Sequence, residues 1–140
     1  MTDTRLHALS PLDGRYAGQC ADLAGVFSEA ALIARRLRVE AAWFGLLAGS
    51  GRFPALARLP AAVTARLEAV TSGVDEAGLA RVKAIERETN HDVKAVEYYL
   101  RGELAAAGAT PAQLEFVHFA CTSEDINNLA YALMLAAARE

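Results

Sequence analysis

Three short polar stretches of this 140-residue chain hold the residue types from which an anion-binding site is made. Arg15 and Tyr16 follow Ser10-Pro11-Leu12-Asp13-Gly14, where proline and Asp-Gly are turn chemistry. A guanidinium fork and one phenol on a tight loop can grip a phosphate; the plain alternative is a surface arginine beside a half-buried tyrosine. Asn90, His91 and Asp92 stand where a helix is expected to begin, and free N–H groups and the helix dipole draw anions to such a place. The positive helix end disfavours a protonated His91, which leaves a neutral imidazole able to donate one hydrogen bond to a ligand oxygen. Alternatively Asn90 is a cap, Asp92 a dipole partner and His91 merely polar. Thr122 and Ser123 open another expected helix, with Asp125 in its first turn. Two adjacent hydroxyls beside exposed N–H groups suit a carboxylate, although threonine and serine also cap helices everywhere. His118, just upstream, is either a site residue or a histidine satisfied against Phe116 and Phe119.

Two helix N-termini and an arginine loop suit a small ligand with several negative charges better than an apolar one. No Gly-rich phosphate loop, dinucleotide pattern, zinc spacing or calcium loop is present, nor a nucleophile elbow. No metal and no cofactor is therefore expected.

The elements that must position these stretches read as helices. Residues 5–27 show no clean period and are expected to be loop. Ser28 can cap a helix from Glu29 to about Ala48 with Gly49 as its stop; Ile33, Leu37, Phe44 and Leu47 share one side, and Val39, Trp43 and Leu46 widen it, so packing on more than one side is expected. Pro60 suits a first helical position, and that helix should run to about Thr71. Asp75 caps the next, with Leu79, Val82 and Ile85 inward and an end near Glu88. A helix then runs from the Asn90 stretch to about Ala107, stopping at Gly108, with Val93, Val96, Tyr99 and Leu100 inward. Thr110-Pro111-Ala112-Gln113 is a capping-box pattern opening a short helix through about Val117. His118 to Cys121 should be irregular. The last helix follows Thr122, with Ile126, Leu129, Leu133 and Ala136 on one stripe. With no convincing strand or repeat, the fold class is all-α.

Composition agrees: 54% hydrophobic and 22% charged residues, with 4 prolines, permit long helices, and glycines are expected between the apolar stretches. A net charge of −3 argues against nucleic acid or an anionic membrane as partner. Arg35, Arg36 and Arg38 are expected on the solvated or salt-bridged side of their helix. Cys20 and Cys121 lack metal spacing and fit a reduced cytosolic protein. The N-terminus shows no secretory core, and the run Ala41 to Gly49 is too short to cross a bilayer. A soluble, cytoplasmic protein is expected.

The stretches Ser10 to Tyr16, Ile85-Glu86-Arg87, Thr89 to Tyr98 and His118 to Asn128 closely resemble adenylosuccinate lyase in its bacterial form, within the fumarase/aspartase superfamily. The Thr-Ser-x-Asp segment is shared across the superfamily; the Asp-Gly-Arg-Tyr and Asn-His-Asp-Val-Lys-Ala-Val-Glu segments are more specific. The resemblance implies removal of fumarate from adenylosuccinate to leave AMP, and the same elimination from the succinyl-carboxamide ribotide. It implies that Arg15 and Tyr16 bind substrate at the phosphate end, that Asn90, His91 and Asp92 line the pocket, and that Thr122 and Ser123 hold the succinyl portion, with His118 added to them. It implies an N-terminal helical domain over residues 1–110, the start of a central helical bundle over 111–140, and homotetramer assembly. The family's general acid histidine and general base serine are expected beyond Glu140, so no catalytic residue is expected in this chain and the chain alone is expected to be inactive. A fumarase, aspartase or argininosuccinate lyase is the alternative within the superfamily; a non-catalytic helical interaction module is the alternative outside it.

Overall fold

The helix that begins after Ser28 is the axis on which the others pack. In the computed structural model, which describes residues 4–140, Ser28 Oγ accepts the Ala31 N–H at 3.2 Å and so starts α2 (Glu29–Gly49). Preceding it is α1 (Ala21–Phe27); following it are α3 (Ala61–Ser72), α4 (Glu76–Thr89), α5 (Asp92–Ala106), α6 (Pro111–Leu114) and α7 (Ser123–Ala137). Short 3-10 turns at Thr4–His7 and Pro54–Leu56 complete the regular structure, and no strand occurs among the described residues. The chain is all-α, as its periodicity requires.

Helix α2 is covered on two sides. Along one, Ile33, Leu37, Ala41, Phe44 and Leu47 pack with Val63, Leu67 and Val70 of α3, Val82 of α4, and Val96, Leu100 and Leu104 of α5. Along the other, Val39 meets Val93 of α5 and Ile126 of α7 in a smaller cluster. Each fully buried Leu or Phe here contributes about 1.5–3 kcal/mol relative to exposure, so the larger cluster dominates the stability. Gly108 follows α5 at φ 96°, a conformation that residues with a Cβ rarely adopt, and ends it where expected.

Several local expectations need correction. Residues 5–27 are not all loop, because α1 occupies Ala21–Phe27; none of its residues is buried, so it left no apolar period to read. Pro60, at φ −56° and ψ 144°, is the cap before α3 rather than its first helical residue. Asn90 does not begin a helix: at φ 50° and ψ 37° it is the left-handed terminus of α4, a role asparagine tolerates. Helix α6 ends at Leu114, short of Val117. The packed stripe of α7 is Ile126, Ala130 and Met134, while Leu129 is 57% exposed and Leu46 of α2 is 67% exposed. Gly25, Gly45, Gly78 and Gly102 lie inside helices rather than between them. At Gly78 the reason is contact: a Cβ there would strike the Val74 side chain and sit 2.6 Å from the Tyr99 hydroxyl.

Candidate functional site

Arg36 and Glu40 stand one turn apart on α2, and both are buried. A buried charge must find partners, and theirs organise the polar stretches. Arg36 Nη2 donates to Asp92 Oδ2 at 2.6 Å, and its Nε donates to Asn127 Oδ1 at 2.8 Å. One guanidinium therefore ties the first residue of α5 to the first turns of α7. Arg36 was expected on a solvated or salt-bridged helix side; it is salt-bridged, but at 5% exposure it is not solvated. Glu40 Oε1 lies 2.5 Å from His118 Nδ1, which brings in the irregular stretch before α7. That stretch is held tightly. His118 and Ala120 have φ of 61° and 58°, Trp43 Nε1 of α2 donates to the Phe119 carbonyl at 2.8 Å, and Phe53, Phe116 and Phe119 pack ring to ring at 5.1–5.6 Å.

His91 is the N-cap of α5. Its Nδ1 accepts the Lys94 N–H at 3.1 Å, so Nδ1 carries no proton and any outward donation comes from Nε2. Burial alone would raise the pKa of Asp92, but the Val93 N–H and the Arg36 guanidinium outweigh it and hold this carboxyl below its ordinary value. With Lys83, Glu86, Arg87 and Asn90, these two residues line a shallow polar depression. Lys83 is held there by Glu29 and Glu86, each at 2.6 Å, whereas Arg87 makes no ion pair with a described residue.

Thr122 and Asp125 form a reciprocal cap at the start of α7: the Thr122 N–H donates to Asp125 Oδ2 at 2.7 Å, and the Thr122 hydroxyl, 2.8 Å from the same oxygen, accepts the Asp125 N–H at 3.4 Å. The bonds from the Thr122 backbone, then its hydroxyl, lower the Asp125 carboxyl. Ser123 is the first residue of α7 and makes no side-chain hydrogen bond to a described residue. At the other end of the chain, Ser10 donates to Asp13 Oδ1 through both N–H and hydroxyl at 2.8 Å, and Gly14 and Tyr16 close backbone turns onto Ser10 and Pro11. These hydrogen bonds, the Ser10 hydroxyl foremost, depress the Asp13 carboxyl. The Arg15 guanidinium lies 4.7 Å from the centre of the Tyr16 ring, a cation–π pair.

The structure thus gathers Asn90, His91 and Asp92 in one depression and joins Asp92 to α7 through Arg36. It brings His118 beside α2. Among the described residues, no hydrogen bond or ion pair links Arg15 or Tyr16 to the other two stretches. Sequence reasoning missed the roles of Arg36, Glu40 and Asn127. The spacing held a signal for Glu40, since Ile33, Leu37, Glu40, Phe44 and Leu47 continue one apolar stripe at steps of three and four. No group of three or more metal-binding side chains occurs among the described residues. No helix among them is long and apolar enough to cross a membrane.

Comparison with known proteins agrees with this architecture. A family model described as "Lyase" matches residues 14–140. Adenylosuccinate lyase of Escherichia coli (strain K12) is 47% identical over 135 residues, covering 96% of this chain and 30% of that protein. The Haemophilus influenzae adenylosuccinate lyase is 46% identical with the same coverage. That of Buchnera aphidicola subsp. Acyrthosiphon pisum is 38% identical over 137 residues, covering 98% of this chain and 30% of the relative. The chain spans about a third of the length of the curated relatives it matches, in their N-terminal region. The chain belongs to this lyase family, within the fumarase/aspartase superfamily.

Proposed function

We propose that this chain is the N-terminal part of an adenylosuccinate lyase, which eliminates fumarate from adenylosuccinate to give AMP and from the succinyl-carboxamide ribotide in purine synthesis. The observation that carries the reading is the 47% identity to an adenylosuccinate lyase along 135 residues. In this reading a base removes a proton from the carbon next to a carboxylate while an acid protonates the departing nitrogen. Negative charge that builds on that carboxylate is stabilised by positioned N–H and hydroxyl donors. Thr122 and Ser123, with His118, hold the succinyl portion; Asn90, His91 and Asp92 line the pocket; Arg15 and Tyr16 bind the phosphate. The Arg36 bridge supports a joint role for the second and third stretches, since it fixes Asp92 and Asn127 to one point.

The general acid and base belong to parts of the relatives that these residues do not span, so the chain by itself does not turn over substrate. Residues 1–110 form an N-terminal helical domain and 111–140 begin the central bundle, through which the whole enzyme assembles as a cytoplasmic homotetramer. Subunit neighbours then bring Arg15 and Tyr16 to sites that the isolated chain does not assemble.

A chimera tests this directly. The 140 residues replace the matching segment of the E. coli relative, and adenylosuccinate cleavage is followed by absorbance. The chimera is expected to be active and tetrameric, and to lose at least about tenfold in kcat/KM on His91→Ala, the effect of removing one charge-assisted contact. A folded, tetrameric chimera without activity refutes the reading. Turnover by the 140 residues alone at the level of the chimera refutes the assignment of acid and base elsewhere.

A further inference from the structure

Glu40 is fully buried, and its Oε2 is the one buried side-chain nitrogen or oxygen without a hydrogen-bond partner among the described residues. Its Oε1 lies 2.5 Å from Nδ1 of His118. Leaving a carboxylate in such a place without a compensating charge costs several kcal/mol, so the pair is most stable when it is electrically neutral as a unit. A neutral pair has two forms. Either a carboxylate faces an imidazolium, or a carboxylic acid donates to a neutral imidazole. The forms differ only in where the bridging proton sits; in both, the other ring proton is on Nε2. His118 Nε2 makes no hydrogen bond to a described residue and is not among the buried unpartnered atoms, so it lies on the part of the ring that solvent reaches.

We propose that Glu40 is a positioning residue for His118: it clamps the ring by Nδ1, keeps a proton on Nε2 and so presents a fixed N–H donor to an anionic oxygen of the ligand. The inference rests on the proposed function, in which His118 borders the substrate. The backbone supports it, because His118 is held in the left-handed region, in a segment whose flanking Phe116 and Phe119 rings pack on each other at 5.1 Å. Neighbouring charges act in the same direction. Burial foremost pushes the Glu40 carboxyl up, against the pull of the His118 hydrogen bond, and Glu97 of α5 adds to the rise. Glu97 is itself answered by Lys94 at 2.6 Å and Arg101 at 3.9 Å. On the α7 side, His118 is close enough to Asp125 to lower that carboxyl, and the Cys121 thiol is pushed up by its burial, then by Glu40 and Asp125. Burial of Glu40 and the charge of Glu97 both favour keeping the shared proton on the pair.

Nitrogen-15 NMR of the histidine side chains in the 140-residue chain reads the outcome without substrate or activity. At pH 7, His118 should show a protonated Nε2 and a far-downfield bridging proton. Glu40→Leu should abolish this signature and give the averaged shifts of a free imidazole. Glu40→Gln, whose amide can donate to Nδ1, should restore the Nε2 proton. Orthophosphate and succinate, titrated separately, distinguish a phosphate from a carboxylate as the oxyanion, and the apparent Kd of whichever binds should weaken about tenfold in Glu40→Leu. A bare Nε2 in the unaltered chain overturns the proposal, whether or not either variant folds. So does a His118 spectrum unchanged by Glu40→Leu, or the absence of a response to both anions. An inactive chimera with the Nε2 proton and the anion response in place counts against the lyase reading alone; an active chimera whose Nε2 is bare counts against Glu40 alone.

Discussion

Replacing Arg36 by methionine keeps most of the buried aliphatic stem and removes the donors that join α5 to α7. Two hydrogen bonds are lost, at 2.6 Å to Asp92 and 2.8 Å to Asn127. A hydrogen bond to a charged group contributes about 1.5–3 kcal/mol when shielded. The Asp92 side chain, however, is 50% exposed, and an ion pair open to water on one side is worth only about 0.5–1 kcal/mol. The sum for Arg36→Met is a destabilisation of about 2–4 kcal/mol. For a chain of this length that lowers Tm by roughly 7–14 °C. Urea unfolding followed by circular dichroism measures it, and an unchanged m-value shows that the folded state stays compact. A double-mutant cycle with Asp92→Asn should return a coupling of about 1 kcal/mol, well below that of a fully buried pair. The sign of the pH effect is fixed as well. The Asp92 carboxyl is depressed in the folded chain, so its contribution is present above its unfolded value of about 3.9 and is lost as pH falls through the folded value. The gap between Arg36→Met and the unaltered chain should therefore narrow in acid. A change within about 0.5 kcal/mol of zero at pH 7, the size of an ordinary surface substitution, would refute the claim that this guanidinium ties the helices together.

Two glycines inside helices should respond in opposite directions to alanine. Gly78→Ala drives a methyl against Val74 and the Tyr99 hydroxyl, and the resulting overpacking should exceed the propensity gain and cost about 1–2 kcal/mol net. At Gly45 nothing lies within 4 Å of a new Cβ, so Gly45→Ala should stabilise by about 0.5–1 kcal/mol; in thermal unfolding, a destabilised Gly45→Ala or a stabilised Gly78→Ala would contradict the respective reading. The Cys121 thiol is raised by burial first, then by Glu40 and Asp125. It should alkylate several-fold more slowly than a free thiol at pH 7.5; mass spectrometry after an iodoacetamide pulse checks this, and a rate equal to that of glutathione would show the environment misread.

Where burial followed the apolar period, sequence and structure agree, because the same pattern that is read is the one that folds. Ile33, Leu37, Phe44 and Leu47 fall on the buried side of α2 as expected. Failures came where size or charge, not hydrophobicity, decided the contact. In α7 the larger Leu129 was assigned inward, yet Ala130 is fully buried and Leu129 is not. A small side chain lets α7 approach α2 closely, and the leucine is left on the rim of an apolar groove with Trp43 and Leu46. The turn holding Arg15 and Tyr16 was legible through Pro11 and Asp13-Gly14, but where it sits against the other polar stretches depends on tertiary contacts that no local pattern encodes.

The roles of Arg36 and Glu40 show the limit most clearly. Set among Ile33, Leu37 and Phe44 on α2, each is a charge that ordinary patterning would place outside. A helix does not bury such a residue without a partner, so a charge at a core register predicts a distant partner even when it cannot name one. Here the partners are Asp92, Asn127 and His118, at sequence separations of 56, 91 and 78 residues. Asp92 and His118 are among the residues singled out for their chemistry, and Asn127 lies two residues past Asp125 on α7. The apolar side of α2 builds the core, and its two buried charges determine which of the remote polar segments the core holds in place.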